Sequence, residues 1–290
     1  MAARRLLFAL ATSERFERAV ARVPGARARA WRSARRYVAG ETGADALRVA
    51  AALAAKGLQA SLDLFGERVS DRTEAARVTD AYVTLAGRLP AGAWLSLDLS
   101  HVAFDGAALR RIAAALPDGA RVQVGAEEAA VTDRVLDAVV AAAGAPVDAT
   151  VQANLPRAPA DAQRLAAAGI PVRLVKGAYV EADALPWGAE TDAAYARIAL
   201  LLGAGAALRL ATHDDALHRL LLPALPAADC ELLLGVRPDR AAALRAAGRR
   251  VRVYVPFGPE WRAYSQRRLK KNPQILRHVV RDTLGLGRSR

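Results

Sequence analysis

Sulfur is scarce in this chain. Cys230 is its single cysteine and Met1 its single methionine. One thiol cannot form an intrachain disulfide, so a reducing, cytoplasmic compartment is expected. Uncharged apolar runs long enough to span a bilayer are missing from the 290 residues. Metal-ligand spacing is missing too: His101, His213, His218 and His278 are scattered, and the lone cysteine does not join them, so no metal is expected. A G-x-G-x-x-G turn after a strand is lacking, which removes the usual sign of a dinucleotide fold. The phosphate-binding loop, the nucleophile elbow and the kinase signature are lacking as well, which disfavours serine or cysteine hydrolysis. An enzyme with no evident acid–base pair fits one whose cofactor carries the hard step.

What the chain has in excess is arginine and alanine, the mark of a GC-rich genome. The net charge is +13. Much of it sits at the ends, in a string from Arg4 to Arg36 and another from Arg262 to Arg290. Compositional drift plus basic ends accounts for this. Weak attraction to the inner face of an anionic membrane ranks second, and no nucleic-acid partner is expected. Residues 1–12 resemble a weak signal peptide, but Glu14 and further arginines follow, and an amphipathic helix is the better reading. With 53% apolar and 24% charged residues, the composition is that of a globular protein.

Short apolar runs alternate with longer helical patterns, as in repeated βα units. Residues 1–40 read as a helical preface, and 41–290 as one domain. Strands are expected at 59–64, 94–99, 121–125, 148–153, 171–176, 207–212, 231–234 and 251–255. Helices are expected at 74–87, 106–116, 132–143, 159–168 and 239–247, with a last one over 259–284 interrupted near Pro273. Eight strands with helices between them predict an α/β fold, a closed (β/α)8 barrel of the TIM type with an N-terminal helical extension. An open doubly wound sheet is the alternative.

In such a barrel the site lies at the C-terminal strand ends. Those ends carry Asp63 to Glu67, Asp98 with Ser100 and His101, Glu127 with Glu128, Gln152 with Asn154, and Arg173 with Lys176 and Tyr179. They continue with Thr212, His213 and Asp214, and with Tyr254. Arg173 and Lys176 cannot both point out of one strand, and a cation facing the mouth needs an anion. A flavin or phosphate would serve, and so would an internal carboxylate. His213 reads either as a donor to a cofactor or as a structural histidine bonded to Asp214. Arg267 and Arg268, one turn after Tyr264, suit a carboxylate ligand, although Lys270, Lys271 and Arg277 also describe a solvated basic helix.

Several of these stretches, in this order, resemble the proline dehydrogenase family. They are Gly40-Glu-Thr, Leu62-Asp-Leu-Phe-Gly-Glu67, Gln152-Ala-Asn-Leu155, Arg173-Leu-Val-Lys-Gly-Ala-Tyr179, Ala211-Thr-His-Asp214 and Gly235-Val-Arg237. The series ends with Val251-Arg-Val-Tyr-Val-Pro-Phe-Gly258, Trp261, Tyr264 and Arg267-Arg-Leu269. The resemblance covers about 40–275. It implies a β8α8 barrel with noncovalent FAD, oxidising L-proline to Δ1-pyrroline-5-carboxylate by hydride transfer to flavin N5, with electrons passed to a membrane quinone. By position it implies that Gln152, Arg173, Val175, Lys176, Gly177, Ala178, Tyr179, Thr212 and His213 line FAD, with Arg173 near N5. It further implies that Arg267 and Arg268 clamp the substrate carboxylate, that Tyr254 packs beside the substrate ring, and that Glu67 pairs with Arg267 as a gate.

The departures fall on charge. The family has lysine where Asp98 stands and aspartate where Gly125 stands. A family glutamine that contacts FAD aligns with Glu231, and a family glutamate with Lys271. Asp98 in place of a lysine weakens an anion site, and suits either one of the arginines or a cationic group on a different substrate. The rivals are therefore a flavoenzyme for another cyclic or secondary amine, and a flavin-free binding protein, which would purify colourless.

Overall fold

The structure, a computed structural model, describes residues 34–66, 68–179, 181–203 and 207–261. Most of the expected preface lies outside the described residues, as do Glu67, Tyr264, Arg267 and Arg268 and most of the expected last helix.

Eight parallel strands close into a barrel in sequence order. They are β1 (Gln59–Leu64), β2 (Ala93–Leu97), β3 (Val122–Val124), β4 (Val147–Gln152), β5 (Val172–Val175), β6 (Leu208–Ala211), β7 (Asp229–Leu233) and β8 (Val251–Phe257). Among the described residues eight helices accompany them: α1 (Gly43–Ala54), α2 (Arg72–Ala86), α3 (Gly106–Ala114), α4 (Thr132–Val140), α5 (Ala158–Ala167), α6 (Ala189–Gly203), α7 (Asp215–Leu221) and α8 (Pro238–Ala246). Every expected strand is present, with ends within two residues of those read from the sequence. The open sheet is excluded, because β1 pairs with β8 along its whole length, from Gln59 opposite Arg252 to Leu64 opposite Phe257.

Local chemistry sets the ends. Thr42 and Asp45 form a reciprocal capping box at the start of α1. Asp71 caps α2 and Asp105 caps α3. β2 stops at Leu97 because Asp98 starts a short 3-10 turn, Leu99–Val102. The segment before α1 is tied to the C-terminal end of β8: the Ala39 amide donates to Pro256 O at 2.9 Å, and the Gly258 amide to Gly40 O at 2.9 Å. Val38, Phe65 and Trp261 form a small apolar cluster there.

The strands alternate strictly. One face carries Leu62, Leu95, Val124, Leu174, Leu210 and Val253, all buried in the core between sheet and helices. The other face carries polar and charged residues that bond to each other across the barrel. Ser61 Oγ donates to Gln123 Oε1 at 2.6 Å, and Gln123 Nε2 donates to Glu231. At the base, Arg252 lies over the Trp94 ring, 3.4 Å from its centroid. The buried Asp148 pairs there with Arg121 and Arg209.

Candidate functional site

The alternation that makes the barrel interior polar carries straight up to its mouth. Above Ser61 on β1 comes Asp63, above Arg252 on β8 comes Tyr254, and above Asp148 and Thr150 on β4 comes Gln152. β5 contributes Arg173, in register with Thr150 on one side and Arg209 on the other.

Arg173 is 8% exposed. Its Nε donates to Thr150 Oγ1 at 2.9 Å, and that hydroxyl donates to Val124 O at 2.7 Å, so the guanidinium is fixed by a chain of bonds. Its nearest carboxylate, Glu231, stands 4.0 Å from Nη1, too far for a hydrogen bond. The guanidinium also lies 6.0 Å from the centroid of the Tyr254 ring. A buried cation with a loose partner retains N–H donors for an anionic or carbonyl-rich ligand.

Lys176 has a different fate. Three residues on, it points out of the sheet and pairs with Asp192 and, at 2.7 Å, with Asp214. Of the two readings open in the sequence, Arg173 answers to the one that faces the mouth and Lys176 to the internal salt bridge. Gln152 bridges two segments: Nε2 donates to Glu127 O at 2.9 Å, and Oε1 accepts the Ala178 amide at 2.7 Å. It thus holds the turn of Lys176, Gly177, Ala178 and Tyr179 that follows β5. Gly177 is required in that turn, since a Cβ there would fall 2.5 Å from the Asn154 side chain.

His213 Nε2 accepts the Leu233 amide at 3.1 Å, which places the neutral ring's proton on Nδ1. Asp214 is engaged elsewhere. It caps α7 through the Ala216 and Leu217 amides, and it binds Lys176. Thr212 Oγ1 accepts the Asp214 amide at 3.1 Å. Val175 ends β5 beside Gln152. Glu231 lies one layer below the rim, buried among Gln123, Arg173 and Arg252, and burial raises its carboxyl above the ordinary range.

The acidic side of the mouth was less visible in the sequence. Asp63 stood out there only as a strand end, and Tyr82 gave no signal at all. In the fold Asp63 is 5% exposed. Its Oδ2 accepts from Tyr254 Oη, and its Oδ1 lies 3.4 Å from Tyr82 Oη. Burial and the nearby Asp98 push Asp63 up to about 8. Asp98 is half-buried, and its carboxylate makes no hydrogen bond among the described residues. It lies over Gly125, where a Cβ would fall 1.8 Å from its Oδ1. Glu127, raised by burial and by Asp98, accepts the Ser100 amide at 2.9 Å. Two small crevices lie nearby, one beside β4 lined by Glu127, Thr150 and Gln152 and one between Arg36 and Gly235.

The structure therefore brings Gln152, Arg173, Val175, Gly177, Ala178, Thr212, His213, Tyr254 and Asp98 to one end of one barrel. Glu231 lies beneath them and Lys176 behind them. Among the described residues no group of three or more His, Cys, Asp or Glu is arranged to hold a metal ion. No helix among them is long and apolar enough to cross a membrane.

Known proteins match this chain in sequence and in fold. Residues 46–280 match the family model described as Proline dehydrogenase. The chain is 32% identical to a proline dehydrogenase of Deinococcus radiodurans, over 89% of this chain and 92% of that one. It is 31% identical to proline dehydrogenase 1 of Bacillus subtilis, over 87% and 90%. Among solved structures it superposes on proline utilization A of Bdellovibrio bacteriovorus inactivated by N-propargylglycine. The TM-score is 0.73 at 21% identity, covering 82% of this chain and 32% of that longer one. A mutant proline utilization A of Bradyrhizobium japonicum gives 0.68 at 24%, covering 84% and 31%. At such identities the solved structures speak for the barrel alone. Sequence matches that span nearly the whole of both chains carry the assignment: this chain belongs to the proline dehydrogenase family.

Proposed function

We propose that this chain oxidises L-proline to Δ1-pyrroline-5-carboxylate with bound FAD, by hydride transfer to flavin N5, and that a quinone takes the electrons. The observation that carries the reading is Arg173: a fixed, buried guanidinium on the inner face of the barrel, in a chain of this family. When bound, FAD supplies a two-electron acceptor, which the side chains of this barrel lack.

The residues present fit such a group. Arg173 offers N–H donors to a carbonyl-rich or anionic ring edge. His213, with its proton on Nδ1, is a donor whose orientation is set by the Leu233 amide. The turn after β5 is held by Gln152 and packed without a side chain at Gly177, so its backbone lies close to Asn154. Asn154 Oδ1 is buried there without a hydrogen-bond partner among the described residues, as expected of a polar site completed by a ligand. Lys176 stiffens the same turn from behind. Thr212, Val175, Ala178, Tyr179 and Glu231 would complete the surroundings of the flavin. Arg267 and Arg268 would clamp the substrate carboxylate, with Glu67 as the gate and Tyr254 against the ring.

The test is a spectrum. The purified chain should be yellow, and L-proline should bleach it anaerobically, with a short-chain quinone analogue restoring the colour. A protein that is colourless and cannot be loaded with flavin returns the reading to a binding protein.

A second reading rests on Asp98. A half-buried carboxylate with no hydrogen bond among the described residues, facing the mouth, suits a cationic group. Should other cyclic or secondary amines bleach the flavin while proline does not, that reading replaces the first.

A further inference from the structure

We infer that Glu231 is the internal counter-ion of Arg173, held out of hydrogen-bonding reach by Gln123, and that it tempers the positive field which Arg173 turns on the bound flavin. The inference rests on the reading above, in which a flavin lies against Arg173.

The odd-numbered strands each send one buried polar side chain to the barrel interior: Ser61 from β1, Gln123 from β3, Arg173 from β5 and Glu231 from β7. Layers of four from alternate strands commonly fill such barrels with branched apolar groups. Here the layer is a directed chain. Ser61 Oγ donates to Gln123 Oε1 at 2.6 Å, and Gln123 Nε2 donates to Glu231 Oε1. Turned over, that amide would press its carbonyl oxygen against the carboxylate. The bond ties Oε1 to β3 across the barrel, and Oε2 stops 4.0 Å from Arg173 Nη1. Charges at that separation attract without forming a hydrogen bond. Arg173 is anchored through Nε by Thr150, and its two Nη nitrogens make no hydrogen bond among the described residues. Those donors stay available to a ligand.

Glu231 serves a second cation as well. Arg252, from β8 and 1% exposed, has its Nε 4.0 Å from Glu231 Oε1 and without a hydrogen bond among the described residues. Among the described residues no other carboxylate lies within 4.0 Å of either guanidinium. Burial raises the Glu231 carboxyl, while Arg173, Arg252 and the Gln123 amide act the other way. Protonating it would strand two buried cations without an anion, the costlier outcome, so Glu231 carries its charge near neutral pH.

One negative charge beside a positive one subtracts from the field at the mouth. A flavin gains negative charge on reduction, so Glu231 disfavours the reduced form. It acts through Arg173 and is therefore a positioning residue.

The experiment compares the wild type with Glu231→Gln, which keeps the shape and drops the charge, both loaded with flavin. Equilibrated at about pH 8 with a dye of fixed potential, the variant should hold about tenfold more of its flavin reduced. Sulfite, an anion that adds to oxidised flavin, should bind the variant about tenfold more tightly. A merely structural Glu231 would move neither reading. Glu231→Asp, which keeps the charge but shortens its reach, should shift both readings the same way by less, and it carries the test should Glu231→Gln fail to fold. Gln123→Leu releases the restraint, so Glu231 closes on Arg173 and flavin should bind about tenfold more weakly. In the Glu231→Gln background the same change should alter binding by no more than about threefold. Infrared difference spectra of wild type minus Glu231→Gln at about pH 7 should show an ionised carboxylate. Equal dye and sulfite readings in the two proteins overturn the inference, and so does the band of a neutral acid. Equal losses from Gln123→Leu in both backgrounds overturn the restraint. A wild type that takes up no flavin overturns the functional reading, and this inference with it, which keeps the two failures apart.

Discussion

Gly125 follows β3 with no side chain, and the carboxylate of Asp98 occupies the space where one would be. A Cβ added at Gly125 would meet Asp98 Oδ1 at 1.8 Å, well inside contact distance. The two positions are therefore one steric unit. Gly125→Ala alone is expected to destabilise the fold by about 1–3 kcal/mol, as overpacking does. The same change made in an Asp98→Gly background should cost much less, because the obstructing carboxylate is gone. Denaturant titration of the four proteins in the cycle reads the coupling directly. Additive costs would show that Asp98 does not hold that place. The sequence alone exposed both departures from the family pattern. Their contact could not be read there, since the two residues lie on neighbouring strands and nothing in their spacing says which way Asp98 turns.

Lys176 ties three elements together. It leaves the end of β5 and pairs with Asp192 on α6 and with Asp214, the cap of α7. The Lys176 pair holds the Asp214 carboxyl below its usual range, against the opposing effect of burial. Asp214→Ala removes both cap and ion pair, and should cost about 1–2 kcal/mol by denaturant midpoint. Asp214→Asn keeps the capping oxygen and loses only the charge, so it should recover most of that loss. An asparagine variant as unstable as the alanine one would assign the cost to the ion pair instead. At this scale most of the fold was legible. Short apolar runs at 59–64, 148–153 and 251–255 marked strands that the fold contains, and the helical patterns at 74–87 and 106–116 marked two of its helices. The site was legible only where its residues lie in or end strands, as Arg173 and Gln152 do. Tyr82 was not, because it reaches the mouth sideways from α2, and a helix carries no periodic sign of a single polar atom bonded to a strand. The partner of His213 was hidden for the same reason: it is a backbone amide twenty residues away.

Over the whole molecule, buried titratable groups make stability depend on pH in two opposing ways. Asp63, Glu127, Asp148 and Glu231 all have carboxyls raised by burial. For Asp63 the folded state keeps its proton up to about 8, while the unfolded chain releases it near 3.8. Between those values the native state binds more protons than the unfolded one, so stability falls as pH rises through the window. His218 does the reverse. Burial and Arg240 depress it from 6.5 to about 4, so the unfolded chain takes up its proton first, and stability falls as pH drops through that interval. The two windows overlap, so the slopes offset each other between about 4 and 6.5, and above 6.5 the Asp63 loss alone remains, which predicts falling stability from there to about 8. Asp63→Asn removes the group that titrates on the alkaline side. Its melting temperature should exceed that of the wild type at about pH 8, and the difference should shrink toward about pH 3, below the unfolded value of 3.8, where the wild-type carboxyl is neutral in both states. Thermal melts of the two proteins across that range measure it. A difference that grows toward acid would mean that Asp63 is ionised in the folded barrel, and that Arg173, not Asp98, dominates its surroundings.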